Sequence, residues 1–365
     1  MKYSIIVPVF NRPDEVDELL ESLTLQSVHD FEVIIVEDGS QKPCKDVCDK
    51  YADKLNLKYF MKENSGPGQS RNYGAERSEG EYLLILDSDV VLPENYLYAI
   101  EEELNSEQAD AFGGPDRAHD SFTDTQKAIS YSMTSFFTTG GIRGGKKKMD
   151  KFYPRSFNMG IRRDVYQKLE GFSNMRFGED IDFSIRIFKA GYKCRLFPGA
   201  WVYHKRRTDF RKFWRQVYNS GIARINLYKK YPESLKLVHL LPMVFTVGVA
   251  ILSVITIIGL MTIALGAGVS LSTIGRTFGR LNLFLFYWHL GIKFACLGLS
   301  PMLLYSALIC IDSSINNKSV KIGLLSIRAA FTQLTGYGCG FLEAWWKRCV
   351  KGKDEFSAYQ KNFYK

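Results

Sequence analysis

The chain has 365 residues and a net charge of +9, long enough for a full hydrophobic core and a second unit. Its seven cysteines include no Cys-x-x-Cys pair and no His/Cys cluster with zinc spacing, which excludes a zinc module. Cys44 and Cys48 can share one helix face, and a reduced, cytosolic environment explains them better than a disulfide.

Lys2 to Phe10 has the apolar, β-branched content of a central strand, and Pro8 makes it too broken and short for a signal peptide. Pro13 to Gln26 follows at helical spacing, with Val16, Leu19, Leu20 and Leu23 on one face and Asn11 as its expected cap. Phe31 to Val36 reads as a second strand ending at Glu37-Asp38-Gly39-Ser40, with a helix to about Leu55 and a strand over Leu57 to Met61. The loop Ser65-Gly66-Pro67-Gly68 leads to a helix over Gln69 to Arg77, and Tyr82 to Leu86 is the strand that delivers Asp87-Ser88-Asp89. Repeated β-α units predict a mostly parallel sheet with helices on both faces. The strand ends Phe10-Asn11, Asp38 and Asp87/Asp89 then share the sheet edge where such folds bind ligands. Two hard oxygen donors there can hold Mg²⁺ or Mn²⁺ and, through it, a diphosphate. Read alone, Asp-Ser-Asp is equally a turn that caps the next helix.

Further along, Gly140 to Lys148 is a glycine- and lysine-rich loop that either closes over phosphate or is simply solvated. It lacks the spacing of a nucleotide P-loop. Glu179-Asp180 reads either as acids at a helix N-terminus or as a general base. Residues 193–230 hold eleven Lys or Arg and a single acid, Asp209, a cluster suited to phosphates or an anionic membrane surface. Within it Phe210, Phe213, Trp214, Val217, Tyr218, Gly221, Ile222 and Ile225 form a helical stripe flanked by Arg211, Lys212, Arg215 and Arg224. That is an amphipathic basic helix suited to lying in a headgroup layer or to docking on the catalytic domain, and both can hold in part.

From Leu237 to Gly275 there is no Lys, Arg, Asp or Glu, and Leu281 to Ile311 carries one charge, Lys293. About 20 apolar residues cross a bilayer, so two transmembrane helices are expected, the second with Pro301 as a kink point. Ile322 to Leu342, with Arg328, Gln333 and several glycines, is a third span, a re-entrant segment or a buried helix. Lys229, Lys230 and Lys236 before the first span, and Lys347-Arg348 to Lys353 after the last, predict cytoplasmic flanks. Two crossings satisfy both flanks and three do not. The expected organisation is a catalytic domain over 1–208, an interfacial helix and linker over 209–236, a membrane region over 237–346 and a basic tail over 347–365.

Four segments, in order, resemble the serial motifs of family 2 glycosyltransferases: Ser4 to Asn11, Val36 to Ser40, Ser70-Arg71-Asn72-Tyr73-Gly74 and Leu86-Asp87-Ser88-Asp89. Phe157 to Arg163 resembles the family's segment under the donor sugar, and Phe177 to Phe183 its acceptor-side Glu-Asp motif. The resemblance covers about residues 1–205. It implies an α/β domain of the GT-A (Rossmann-like) type with a mostly parallel sheet, followed by the interfacial and transmembrane helices. It implies a nucleotide-sugar donor, UDP-linked, bordered by Pro8, Phe10, Asn11, Asp38, Arg71 and Asp87, with Asp38 on the base. It implies Mg²⁺ or Mn²⁺ held mainly by Asp89, with Asp87 and His204. It makes Asp180 the general base, Glu179 beside it, and the displacement inverting.

Processive synthases of this family carry a Gln-x-x-Arg-Trp motif, whereas here Phe213-Trp214-Arg215-Gln216 has the residue types in another order. The chain therefore looks more like the succinoglycan-type branch, which adds single sugars to lipid-linked glycans. The expected enzyme is a multi-pass protein of the cytoplasmic (inner) membrane, its catalytic domain cytoplasmic, serving polysaccharide biosynthesis. Its partners are a lipid-linked glycan acceptor and membrane lipid. Nucleic acid is not expected, because the basic cluster adjoins a span where lipid phosphate is the nearer anion. The alternatives are a processive synthase subunit and a catalytically silent scaffold that binds nucleotide or lipid.

Overall fold

The structure is a computed structural model that describes residues 1–119, 121–139, 152–271 and 278–358. The Gly140 to Lys148 loop, and the end of the basic tail, lie outside the described residues. The chain begins β1 (Tyr3–Val9), α1 (Pro13–Thr24), β2 (Phe31–Asp38), α2 (Lys45–Asp49), β3 (Leu57–Lys62), α3 (Pro67–Ala75), β4 (Tyr82–Leu86), β5 (Val90–Val91) and α4 (Tyr96–Ser106). It continues β6 (Ala111–Gly113), β7 (Asp116–Arg117), α5 (Asp124–Thr134), α6 (Phe136–Thr139), β8 (Asn158–Arg162), α7 (Arg163–Lys168), α8 (Glu179–Lys189), β9 (Cys194–Leu196) and β10 (Val202–His204). The last helices are α9 (Phe210–Lys230), α10 (Leu241–Leu271), α11 (Phe278–Asn317) and α12 (Val320–Ala344). They fall into two compact units, Met1–Gln126 with Gly141–Arg207 and Lys127–Gly140 with Thr208–Lys365.

The first unit holds a seven-stranded sheet in the order β3-β2-β1-β4-β8-β6-β9 and a small sheet β5-β10-β7. β1, β2, β3 and β4 run parallel, while β8 enters antiparallel between β4 and β6. Alternation along the strands builds two cores. Ile5, Val7, Ile35 and Leu84 pack with Val16, Leu19 and Leu23 of α1 on one face. Ile6, Ile34, Leu83 and Ile85 pack with Ala75, Val165 and Phe183 on the other. A parallel strand buried on both faces needs a near-continuous apolar run, which is what β1, β2 and β4 supply. Pro8 fits in a central strand because the β1–β4 ladder stops at Ile6 opposite Ile85, so part of its neighbourhood is already unpaired.

Two local expectations are corrected. Asn11 does not cap α1: it takes a left-handed φ of 56°, and Arg12 occupies the cap position before Pro13. Asn11 lies one residue before the cap position, which leaves its side chain for other contacts. The helix expected to about Leu55 is only Lys45–Asp49, after which turns at Tyr51 bring Leu55 into the core.

The second unit is helical. α10 and α11 are long and apolar enough to cross a membrane over Leu237–Ala267 and Asn282–Asn317, and Pro301 lies inside a continuous α11. Their large apolar side chains, among them Val247, Ile251, Val254, Ile258 and Leu303, are exposed. The stripe on α9 is not left open. Phe213 and Val217 are buried with Ile322 and Ala329 of α12, and Ile222 and Ile225 with Phe341 and Ala344.

Candidate active site

β4 ends at Leu86 and the chain turns through Asp87 and Asp89 into β5. β10 pairs antiparallel with β5, His204 opposite Val90, and Lys205 N donates to the Asp89 carbonyl at 2.9 Å. That short ladder brings a histidine from far along the chain to Asp89, its Nε2 standing 3.2 Å from Asp89 Oδ1. The imidazole stacks on Phe157 at 4.7 Å, which fixes its plane. One ligand atom each from Asp87, Asp89 and His204 lie within 4.8 Å of one another. Asp89 Oδ1 and His204 Nδ1 are buried and make no hydrogen bond among the described residues. Two carboxylates and an imidazole whose ligand atoms converge within 4.8 Å fit a divalent cation.

Burial works to raise the pKa of Asp89, but Arg12, His204 and Arg207 outweigh it and hold the carboxyl well below the usual range. Arg12 is ion-paired with Asp89 Oδ2. Close by, Arg206 pairs with Asp116. Burial lowers Arg206 to about 10, against the pull of Asp89.

Arg71, on α3, is buried and bridges two elements: Nη2 donates to Asp87 Oδ1 at 2.8 Å and Nη1 to Glu179 Oε1 at 2.9 Å. Burial works to lower its pKa, yet Asp87 and Glu179 raise it above the ordinary arginine value. Glu179 opens α8 behind Gly178, whose φ of 83° turns the chain sharply into the helix. Burial pushes Glu179 up to about 7, opposed by Arg71 and reinforced by Asp180. Asp180 is half-buried, accepts from Ile181 N at 2.9 Å, and has Arg155 Nη1 at 3.9 Å. Direct contacts thus join Asp87, Arg71 and Glu179, and Asp89 with His204, and the two sets meet where Asp87, Asp89 and His204 bring ligand atoms within 4.8 Å, with Asp180 next to Glu179 in the chain.

Asp38 reaches this group through the entry to α3. Its carboxylate accepts from Lys62 Nζ at 2.6 Å and from the Ser65 and Gly66 amides, each at 2.9 Å. Strand register sets this up, because Asp38 stands opposite Lys62 on β3. Gly68, two residues past that turn, is where an added Cβ would come 3.5 Å from Glu179 Cγ. Asn11 pins the β1 end to the next loop, its Oδ1 accepting from the Gln41 and Lys42 amides at 2.8 and 2.9 Å. Pro8 and Phe10 flank that point, both half-buried. Asn158 is a buried brace: Tyr96 donates to it at 2.7 Å and it donates to the Ala200 carbonyl at 2.8 Å.

Sequence reasoning missed Arg12 and Arg155. Arg12 did carry a signal, since it follows Asn11 at the very strand end where the carboxylates gather; Arg155 carried none.

Residues 4–170 match the family model for glycosyl transferase family 2. TarS of Staphylococcus aureus, a poly(ribitol-phosphate) β-N-acetylglucosaminyltransferase, is 42% identical over 93 residues, 24% of this chain and 16% of that protein. The probable glycosyltransferase YdaM of Bacillus subtilis is 26% identical over 231 residues, 59% of this chain and 53% of its own length. The minor teichoic acid biosynthesis protein GgaB of the same organism is 25% identical over 57% of this chain and 23% of that protein. The chain thus spans at most about half the length of these curated relatives. The fold is similar to that of the mannosyltransferase PcManGT from Pyrobaculum calidifontis, with a TM-score of 0.55 at 13% identity over 95% of this chain and 88% of that one. Residues 4–170 thus form a glycosyltransferase family 2 domain.

Proposed function

We propose that this glycosyltransferase takes a sugar from a UDP-linked donor and places it, with inversion, on a lipid-carried glycan at the cytoplasmic face of a membrane. The observation that carries the reading is the double engagement of Asp87. It belongs to the potential ligand set with Asp89 and His204, and through Arg71 it is tied to Glu179, the neighbour of Asp180. Mg²⁺ or Mn²⁺ on that set would neutralise the charge developing on the leaving diphosphate. Asp180 takes the proton from the attacking acceptor hydroxyl. Arg71 and Glu179 hold the two halves of the site in register, Asp38 organises the Ser65–Gly66 turn on the base side, and Pro8, Phe10 and Asn11 form the wall at the β1 end.

The acceptor class draws on the relatives, whose names refer to poly(ribitol-phosphate) and teichoic acid. The membrane setting draws on the two candidate spans and on Lys229, Lys230 and Lys236 just ahead of them. Detergent-purified protein given UDP-sugars and Mn²⁺ or Mg²⁺ should release UDP and transfer sugar to an undecaprenyl-linked glycan. Asp89→Ala should lose metal-dependent donor binding, and Asp180→Asn should bind donor without transfer. Transfer by Asp180→Asn at the wild-type rate overturns the assignment of the base, and absence of turnover with every donor leaves the silent-scaffold reading in its place.

A further inference from the structure

We propose that α12 does not cross the bilayer but lies in its headgroup layer, side by side with α9, across the open end of the α10–α11 hairpin. The proposal rests on the membrane reading above and goes beyond it, because the hydrophobicity of this segment leaves its path open.

The hairpin fixes a scale of depth. Phe245 meets Tyr305 near its open end at 5.2 Å, Gly298 lies against Leu252 and Thr256, Gly259 against Ala295, and Gly266 against Tyr287. A third span would pass such levels one after another. α12 instead crosses from the last turns of one arm to the first turns of the other. Gly323 packs on Cys310 and Ser314, and Ser326 shares a 2.7 Å hydrogen bond with Ser313. Phe331 then touches both arms, 5.7 Å from Tyr305 and 5.5 Å from Phe245. Thr246 donates to the Leu334 carbonyl at 3.2 Å, and Gly338 packs on Pro242 and Thr246. From Gly323 to Gly338 a helix advances about 22 Å. Over that length the contacts pass from Ser314 to Tyr305 on α11 and then to Thr246 and Pro242 on α10, and none of them reaches the level where Gly298 meets Leu252 and Thr256.

α9 accompanies it in the same direction. Arg328 lies over Phe210 at 4.5 Å, Gly336 against Trp214 and Val217, Gly340 against Tyr218, and Gly221 against Tyr337 and Phe341. Beyond α12, Arg348 donates to Asn226 at 2.8 Å. Both numbers rise together, so the helices are parallel, and glycines on both let the backbones approach. α9 precedes the first span, which places α12 on that same side.

The exposed surface suits lipid phosphate. Lys321, Leu324 and Arg328 on α12, then Trp345, Trp346 and Lys351 beyond it, are all exposed. Tryptophan with Lys and Arg is the composition of a membrane–water interface, whereas Arg328 in a spanning helix would carry its charge into the hydrocarbon.

Native Cys349, exposed just past α12, is a reporter, and Asn316→Cys supplies a second in the exposed last turn of α11. The full chain is placed in phosphatidylethanolamine–phosphatidylglycerol vesicles with the amino-terminal domain outward, as shown by its digestion with added protease. A membrane-impermeant maleimide should then label both thiols, with sites read by peptide mass. Labelling of only one, as a third crossing requires, overturns the proposal, and so does labelling of neither. Release of the whole chain by alkaline carbonate is a different result, which overturns the membrane reading itself.

Discussion

Arg12 and Asp89, 77 positions apart, form an ion pair in the same site where Asp89 also faces His204. The guanidinium occupies Oδ2 and the imidazole stands at Oδ1, so the carboxylate already has a resident counter-ion. An arriving divalent cation must compete with it. A part-buried pair of this kind contributes about 1 kcal/mol. Arg12→Gln should therefore tighten Mn²⁺ binding, without donor, by about five-fold. Free Mn²⁺ followed by electron paramagnetic resonance checks this, and unchanged or weaker affinity means that Arg12 does not compete for the site.

Arg71 is the converse case, a cation whose loss leaves anions stranded. It is 3% exposed and contacts Asp87 and Glu179 at once. Removing one member of a buried ionic set costs about 3 kcal/mol, mostly because the partner is left uncompensated. Arg71→Ala should lower the melting temperature markedly, and adding Glu179→Gln should restore part of the loss. Arg71→Lys should fail too, because one ammonium cannot reproduce the two-pronged contact. A double variant no more stable than Arg71→Ala would show that Glu179 is not the stranded group.

Glu179 also gives a pH signature. Burial raises its folded pKa from 4.5 to about 7, so between those values the native state holds a proton that the unfolded chain has released. Stability rises with pH only where the unfolded state binds more protons, and here the native state binds more. The contribution of Glu179 is thus present below about 4.5 and is lost as pH rises toward about 7. Subtracting the melting-temperature profile of Glu179→Gln from that of the wild type should isolate a decline across this window. A flat difference would mean that Arg71 keeps Glu179 ionised throughout.

The parts of the site that sequence made legible are the local ones. Apolar runs marked β1, β2 and β4, and the polar residues just after them do gather at one edge, as parallel β-α units require. Asp38, Asp87 and Asp89 needed nothing more. What stayed hidden depends on partners distant in the chain. The antiparallel entry of β8 and the two-residue pairing of β5 with β10 leave no periodic trace, yet the second carries His204 to Asp89. The role of Asn11 turned on a positive φ, which asparagine tolerates better than most residues. The stripe on α9 has the spacing of a membrane-surface helix and of a docked one alike. Glycines of α12 show that the stripe is docked on that helix, and their place cannot be read from α9 itself.

That last point can be tested by substitution within one unit. At Gly221 a Cβ would strike the Tyr337 carbonyl and come 2.7 Å from Phe341 N, both backbone atoms that cannot rotate away. At Gly248, on α10, it would meet nothing within 4 Å. Alanine favours a helix over glycine by about 1 kcal/mol at either place. Gly248→Ala should therefore be neutral or stabilising. Overpacking costs about 1–3 kcal/mol, so Gly221→Ala should be destabilising on balance and should shift the unfolding of purified protein to lower temperature. Equal melting temperatures for the two variants would mean that α9 and α12 are not in backbone contact, and the burial of Phe213, Val217 and Ile222 would then need another cause.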